Sequence, residues 1–241
     1  MKILLAPAET KQSGGKKPFD FNNLKPYNKE IVEHYEQYIK NSSLEELSKW
    51  FGLKNLKEVE KYKTTLQNQP TLKAIQRYTG VAFEYIKYNQ LNNIEKIYLE
   101  ENILLFSNLF GVLKADELIP DYKFKQGAIL PTIDNLKYFK QHLKPYMDKL
   151  LEDEEVIDLR ANFYDKIYKI NKPYITMKFI KNGKVVSHWA KAYRGIVVNL
   201  MAKHNIQSIA ELMNMNIPNL SIVEIKKQKL KTEIIYNLCN I

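Results

Sequence analysis

KILLAPAETKQSGGKKP, residues 2–18, sets the fold class. Lys2 to Ala6 reads as a short buried strand, and Pro7 ends it because a proline nitrogen cannot donate to a ladder. The loop that follows is rich in Lys and Gly, and Gly14-Gly15 leaves it free to fold over a ligand or to stay mobile. A buried strand running into a polar loop is the usual opening of an α/β domain, with ligands held at the strand's carboxyl end. Two more short apolar runs have the same character: Asn102 to Phe106 (NILLF) and Glu155 to Leu159 (EVIDL). No G-x-G-x-x-G or G-x-x-x-x-G-K-[ST] follows any of them, which argues against a dinucleotide fold or a P-loop.

Helical periodicity fills most of the space between these strands. Ile31, Tyr35, Tyr38 and Ile39 form one stripe. Ser43 with Glu46 makes a capping box for a second helix, and Leu56, Val59, Tyr62 and Leu66 suggest a third. Pro70-Thr71 reads as the start of a fourth, broken at Tyr78-Thr79-Gly80-Val81. That break with helical pattern on both sides is a candidate helix-hairpin-helix, in which backbone N–H groups bind a phosphate without reading sequence. Two core helices joined by a glycine turn would give the same pattern. Asp134 to Leu150 reads as one helix. Asn182-Gly183 is a hairpin turn between Tyr174–Ile180 and Lys184–Ser187. Ile222 to Leu238 makes two strands, or a strand and a helix.

Ser187 to Ile206, SHWAKAYRGIVVNLMAKHNI, is the most informative helix. Trp189, Tyr193, Ile196, Val197, Leu200 and Met201 form its apolar face, while His188, Lys191 and Arg194 lie three apart on another. Gly195 costs about 1 kcal/mol against alanine within a helix; it is either a close approach by a ligand or a backbone, or incidental. The cationic face suits an anion; an amphipathic helix with solvated lysines is the plainer alternative.

The chain has 241 residues, 45% of them hydrophobic, which suits one globular domain over 1–241. Its single cysteine, Cys239, excludes an internal disulfide and a multi-cysteine zinc site, and favours a reducing, cytoplasmic setting. The apolar run before Pro7 is too short for a signal peptide or a membrane span. Net charge is +10, which points to a polyanionic partner such as DNA, RNA or a lipid surface. Membrane binding is the weakest of these, since no helix pairs a strongly basic face with a bulky apolar one. Almost all of the positive charge is lysine. Only three arginines occur, Arg77, Arg160 and Arg194, so each use of a planar guanidinium is informative.

No complete catalytic constellation is visible. The candidates are Ser107, just after a strand; Asp158, which ends a buried strand beside Arg160; and Lys191, a Schiff-base nucleophile if Arg194 lowers its pKa. Asp158 and Arg160 equally make a structural pair. No metal or cofactor is expected.

Five segments resemble the YaaA family of peroxide stress proteins: LLAPAETK (4–11), YTGVAFE (78–84), LLFSNLFGVLKADELIPDYKFKQG (104–127), VIDLRANFYDKI (156–167) and HWAKAYRG (188–195). The resemblance implies a single mixed α/β domain with a central mixed sheet among helices, a helix-hairpin-helix, a positively charged cleft, binding to duplex and branched DNA, and a role in oxidative stress and repair. The family's opening S-P-A-K-T is A-P-A-E-T-K here. Glu9 stands at the lysine position and Lys11 follows two residues later, so Lys11 either substitutes for the cleft cation or leaves it missing.

Two functional classes follow. One is a non-catalytic DNA-binding protein, monomeric, that contacts phosphates through Lys11, Tyr78, Gly80, Lys114, Lys123, Arg160, Lys191, Arg194 and Gly195. The other is a glycosylase- or lyase-like enzyme acting on a nucleotide or DNA base in the same cleft. Lys191 and Arg194 are expected to share that cleft with the Phe106–Lys114 segment and Arg160.

Overall fold

Ile3, Leu4 and Leu5 are buried on both faces of the first strand, as expected for a strand at the middle of a sheet with parallel neighbours. The computed structural model describes residues 1–239. Its strands are β1 (Lys2–Leu5), β2 (Lys17–Pro18), β3 (Pro70–Lys73), β4 (Ile103–Ser107), β5 (Gly111–Lys114), β6 (Leu118–Ile119), β7 (Val156–Leu159), β8 (Tyr174–Lys181), β9 (Lys184–Val185), β10 (Leu220–Gln228) and β11 (Lys231–Leu238). Its helices are α1 (Pro26–Asn41), α2 (Leu44–Phe51), α3 (Leu56–Tyr62), α4 (Ala74–Arg77), α5 (Val81–Ile86), α6 (Asn93–Asn102), α7 (Asn135–His142), α8 (Lys144–Leu150), α9 (Ser187–Lys203) and α10 (Ile209–Asn214).

The main sheet runs β10-β11-β8-β7-β1-β4-β5, with β9 added to β8. Pairs β1–β4, β1–β7, β7–β8 and β8–β11 are parallel, while the outer pairs β4–β5 and β10–β11 are antiparallel. The protein is thus a mixed α/β domain with a central mixed sheet flanked by helices. From β1 the chain moves to β4 on one side; from β7 it moves to β8 on the other. The adjacent strands β1 and β7 therefore form a topological switch point, where the crevice outside the carboxyl ends is open to a ligand.

Four local expectations are corrected. Pro70–Lys73 is a strand, because Leu72 and Lys73 pair with Ile119 and Leu118 in a second sheet, β2-β3-β6. Only the single turn α4 then precedes Gly80 and only the six-residue α5 follows it, so the two helices of a helix-hairpin-helix do not flank this glycine. The expected helix over 134–150 is two, α7 and α8, since Pro145 has no N–H to donate to the preceding turn and the ladder is interrupted at Leu143. Loop 8–18 is tied down. Arg77, wholly buried, donates to the carbonyls of Gln12, Gly14, Pro70 and Ile119. A Cβ on Gly15 would lie 2.3 Å from the Thr71 oxygen, so the chain passes against β3 with no room to spare. Other readings hold, including the capping box at Ser43 and Glu46 and the hairpin at Asn182-Gly183, whose φ values are 50° and 74°.

Candidate functional site

Two polar crevices border the main sheet. The first is beside β1 and β4. Past Pro7 the chain pairs Lys11 with Tyr78 in an isolated bridge, and Thr79 donates its amide to the Thr10 carbonyl at 3.0 Å. A chain of hydroxyls crosses the floor: Tyr78 Oη to Tyr122 Oη is 2.6 Å, and Tyr122 Oη to Ser107 Oγ is 2.8 Å. Lys11 Nζ sits 4.1 Å from the Tyr122 ring centroid and 5.4 Å from that of Tyr78, a cation–π arrangement. Its hydrogen bond is to the Glu9 carbonyl at 3.5 Å, and among the described residues no carboxylate comes within ion-pair distance.

Burial pushes the Lys11 ammonium down to about 7, with Asp121 opposing the fall and Lys123 adding to it. Burial also pushes Tyr78 up to about 12 and Tyr122 well above its ordinary value, so both phenols stay neutral. A cavity of about 30 Å³, lined in part by Glu9, Lys11, Tyr78, Asn108 and Tyr122, remains over this floor. The Oδ1 atom of Asn108 is buried there without a hydrogen-bond partner.

A pH prediction follows for Lys11. Its folded value of about 7 lies below its ordinary 10.5, so between those two the unfolded chain holds the proton and the native chain does not. This group's contribution to stability therefore rises with pH across that window. Competitive acylation mapped by mass spectrometry should give Lys11 a reactivity midpoint near 7. A midpoint close to that of an exposed lysine, about 10.4, would refute this.

The second crevice lies between β7, β8 and α9. It has a volume of about 500 Å³, and Asp158, Arg160, Asp165, Lys178, Arg194 and Glu233 are among its lining residues. Arg160 is 4% exposed and fully committed. Its Nε and Nη2 donate to the two Asp158 oxygens at 2.9 and 3.0 Å, Nη2 also reaches Asp165, and Nη1 meets the carbonyls of Tyr164 and Tyr168. The guanidinium carbon lies 4.4 Å from the Phe106 ring centroid. Arg194 is the opposite case. It is half-buried, its Nε is buried with no acceptor, and it makes no ion pair among the described residues. Burial lowers its pKa, partly offset by Asp158.

The sequence candidates therefore separate. Arg194, Arg160 and Asp158 share one crevice; Lys11, Tyr78 and Ser107 share the other, with Lys123 close enough to bear on the Lys11 charge. Arg160 and Asp158 are the structural pair, with no donor left for an anion and no free carboxylate for a base. Ser107 is wholly buried, and its Oγ accepts the amides of Leu109 and Phe110, both at 3.1 Å. It caps a turn and has no base beside it.

Lys191 is exposed and lies outside the residues lining the second crevice, so its expected sharing with Arg194 is not realised. The Phe106–Lys114 segment does not line it either. Lys114 is carried to the far end of the sheet: Gly111, at φ 72°, turns the chain, and β5 runs back until Lys114 stands opposite Leu104. Gly195 admits α5 rather than a ligand, since a Cβ there would lie 2.1 Å from the Ala82 carbonyl oxygen. Gly80 serves backbone conformation, with φ 110° at the N-cap of α5, and its Cβ position faces Thr10 and Ala8.

Tyr122, Asn108 and Lys178 were not legible as site residues. For Lys178 a signal existed: in YITMKFIK, Ile175, Met177 and Phe179 are buried, which leaves Thr176 and Lys178 together on the other face. Among the described residues no cluster of three or more His, Cys, Asp or Glu could hold a metal, and no helix is long and apolar enough to cross a membrane.

The protein is a mixed α/β domain with one polar crevice beside β1 and β4 and a second between β7, β8 and α9. The family model described as peroxide stress protein YaaA matches residues 1–226, and the chain belongs to that family. It is similar to an uncharacterized protein of Campylobacter jejuni, 44% identical, with 99% of each chain covered. It is also similar to a UPF0246 protein of Corynebacterium glutamicum, 30% identical over 88% of this chain and 91% of the relative, and to one of Malacoplasma penetrans, 26% identical over 86% and 88%.

Proposed function

We propose that this member of the peroxide stress family binds duplex or branched DNA, with little sequence preference, through a basic cleft at the carboxyl edge of the main sheet. The observation that carries this reading is Arg194, a half-buried guanidinium with no carboxylate partner among the described residues, facing the cavity between β7, β8 and α9. A buried donor left unpaired costs about 1–3 kcal/mol, and an entering phosphate is well matched to a guanidinium. The surrounding charge supports the same reading: the chain carries +10, and Lys191 and Lys184 are exposed at and near the start of α9. Duplex and four-way-junction binding by purified protein should weaken with salt at a log–log slope near 0.9 per phosphate contact. Affinity indifferent to salt, or confined to one base sequence, would overturn the reading.

One observation favours the second reading, an enzyme acting on a nucleotide or DNA base. Lys11, deprotonated in part near neutral pH, stands over two neutral phenols that are hydrogen-bonded to each other and to Ser107. An amine in that state is a competent nucleophile or proton acceptor, which supports Lys11 over Lys191 as the amine of this reading. Incubation with damaged and undamaged duplexes, scored for cleavage as well as binding, separates the two readings.

A further inference from the structure

We propose that the crevice between β7, β8 and α9 is a site for one nucleotide unit, holding its phosphate between Arg194 and Lys178 and its nucleoside against the Tyr174 and Asp165 side. The proposal rests on the DNA-binding reading in that a strand is one source of such a unit; a free nucleoside monophosphate is the other.

Size is the first argument. About 500 Å³ falls in the range of small-molecule sites, well short of what a duplex needs to enter. A duplex lying across the rim can bring a backbone phosphate to the half-buried Arg194 and the exposed lysines, but only a smaller, extended group fills the cavity's interior. Charge is the second. Among the lining cations, Arg160 is saturated by Asp158 and Asp165, and Lys231 pairs with Glu233 at 2.9 Å. Arg194 and Lys178 make no ion pair among the described residues, so two positive charges remain for a phosphate.

The start of α9 adds to this. Val185 and Ala190 border the crevice, and the N-cap residue Val186 offers no side-chain acceptor to the first turn, so the positive end of the helix stays uncapped on that side. The third argument is the mixed lining. A site for inorganic phosphate alone needs only donors. Here Asp165, with a side chain 53% exposed, and Glu233 supply acceptors suited to sugar hydroxyls or base amino groups, and Tyr174 supplies a ring.

The test uses the full chain and isothermal titration with dAMP, inorganic phosphate and a 5′-phosphorylated single-stranded oligonucleotide, alongside duplex binding measured separately. The expected result is that dAMP or the oligonucleotide binds at least about tenfold more tightly than inorganic phosphate, and that Arg194→Gln weakens this by about tenfold, the loss of a charge-assisted contact. Lys178→Gln, on the open face of a strand, should also weaken it and guards against an Arg194 variant that fails to fold. Stronger binding of dAMP than of the oligonucleotide assigns the site to free nucleotide; the reverse assigns it to a strand. Equal binding of dAMP and phosphate, or nucleotide binding unmoved by both substitutions, overturns the proposal. Duplex binding that persists while both variants leave nucleotide binding unchanged sinks this site alone. Loss of salt-dependent duplex binding with nucleotide binding intact sinks the DNA reading alone.

Discussion

Arg160→Met should lower the melting temperature by about 10 °C or more, through a loss of about 3–5 kcal/mol, the range for removing one partner of a buried ion pair. The physical content is an uncompensated charge. Asp158 is 9% exposed, and both of its oxygens are held by the Arg160 guanidinium; the substitution leaves it in the interior with the Arg160 amide alone. The carbonyls of Tyr164 and Tyr168 lose their donor as well, so the 160–168 segment between the two crevices loosens. Methionine keeps much of the volume over the Phe106 ring, so the loss reports the polar network rather than a cavity. Nucleic-acid binding by the surviving folded fraction should be close to that of the parent. A variant with unchanged melting temperature and reduced DNA affinity would instead make Arg160 a ligand contact. Thermal unfolding followed by circular dichroism, with binding measured well below the transition, distinguishes the outcomes.

Gly195→Ala should cost about 3 kcal/mol, the upper part of the usual range for overpacking, and lower the melting temperature by about 10 °C. In an isolated helix the same change would stabilise by about 1 kcal/mol. The sign reverses because the added methyl would lie 2.1 Å from the Ala82 carbonyl oxygen and 2.9 Å from Tyr85 Cβ. A backbone oxygen cannot swing aside as a side chain can, so α5 and α9 must separate. Asn199, which donates to the Ile86 carbonyl at 2.8 Å across the same interface, would be pulled out of range. Equal or greater stability of the alanine variant would show that this helix crossing has slack.

How much of this was legible in the sequence depends on the range of the interaction. Periodicity and local turn chemistry placed β1, β4 and β7, helices α1 to α3, the capping box at Ser43 and the hairpin at Asn182-Gly183, because each is decided by residues within a few positions of one another. The failures share a cause. Pro70–Lys73 has a pattern that suits a helix, and pairing with Leu118–Ile119, nearly fifty residues away, made it a strand. Gly195 was noticed as a close approach, but the approaching group, α5, lies more than a hundred residues earlier.

The candidate site divides along the same line. The scarcity of arginine singled out Arg77, Arg160 and Arg194 from the sequence, and all three are placed with purpose. Their roles could not be told apart there. Arg77 is consumed by four backbone carbonyls, Arg160 by two carboxylates and two carbonyls, and Arg194 by no partner among the described residues. Likewise nothing local marks Lys11 as a buried amine; it is pushed toward neutrality because Tyr78 and Tyr122 from distant segments close over it. Residue type and local pattern were determined by the sequence alone. Which cation is spent and which is free depends on the desolvation and hydrogen bonding that chain segments far apart impose on it, and only the tertiary structure decided that.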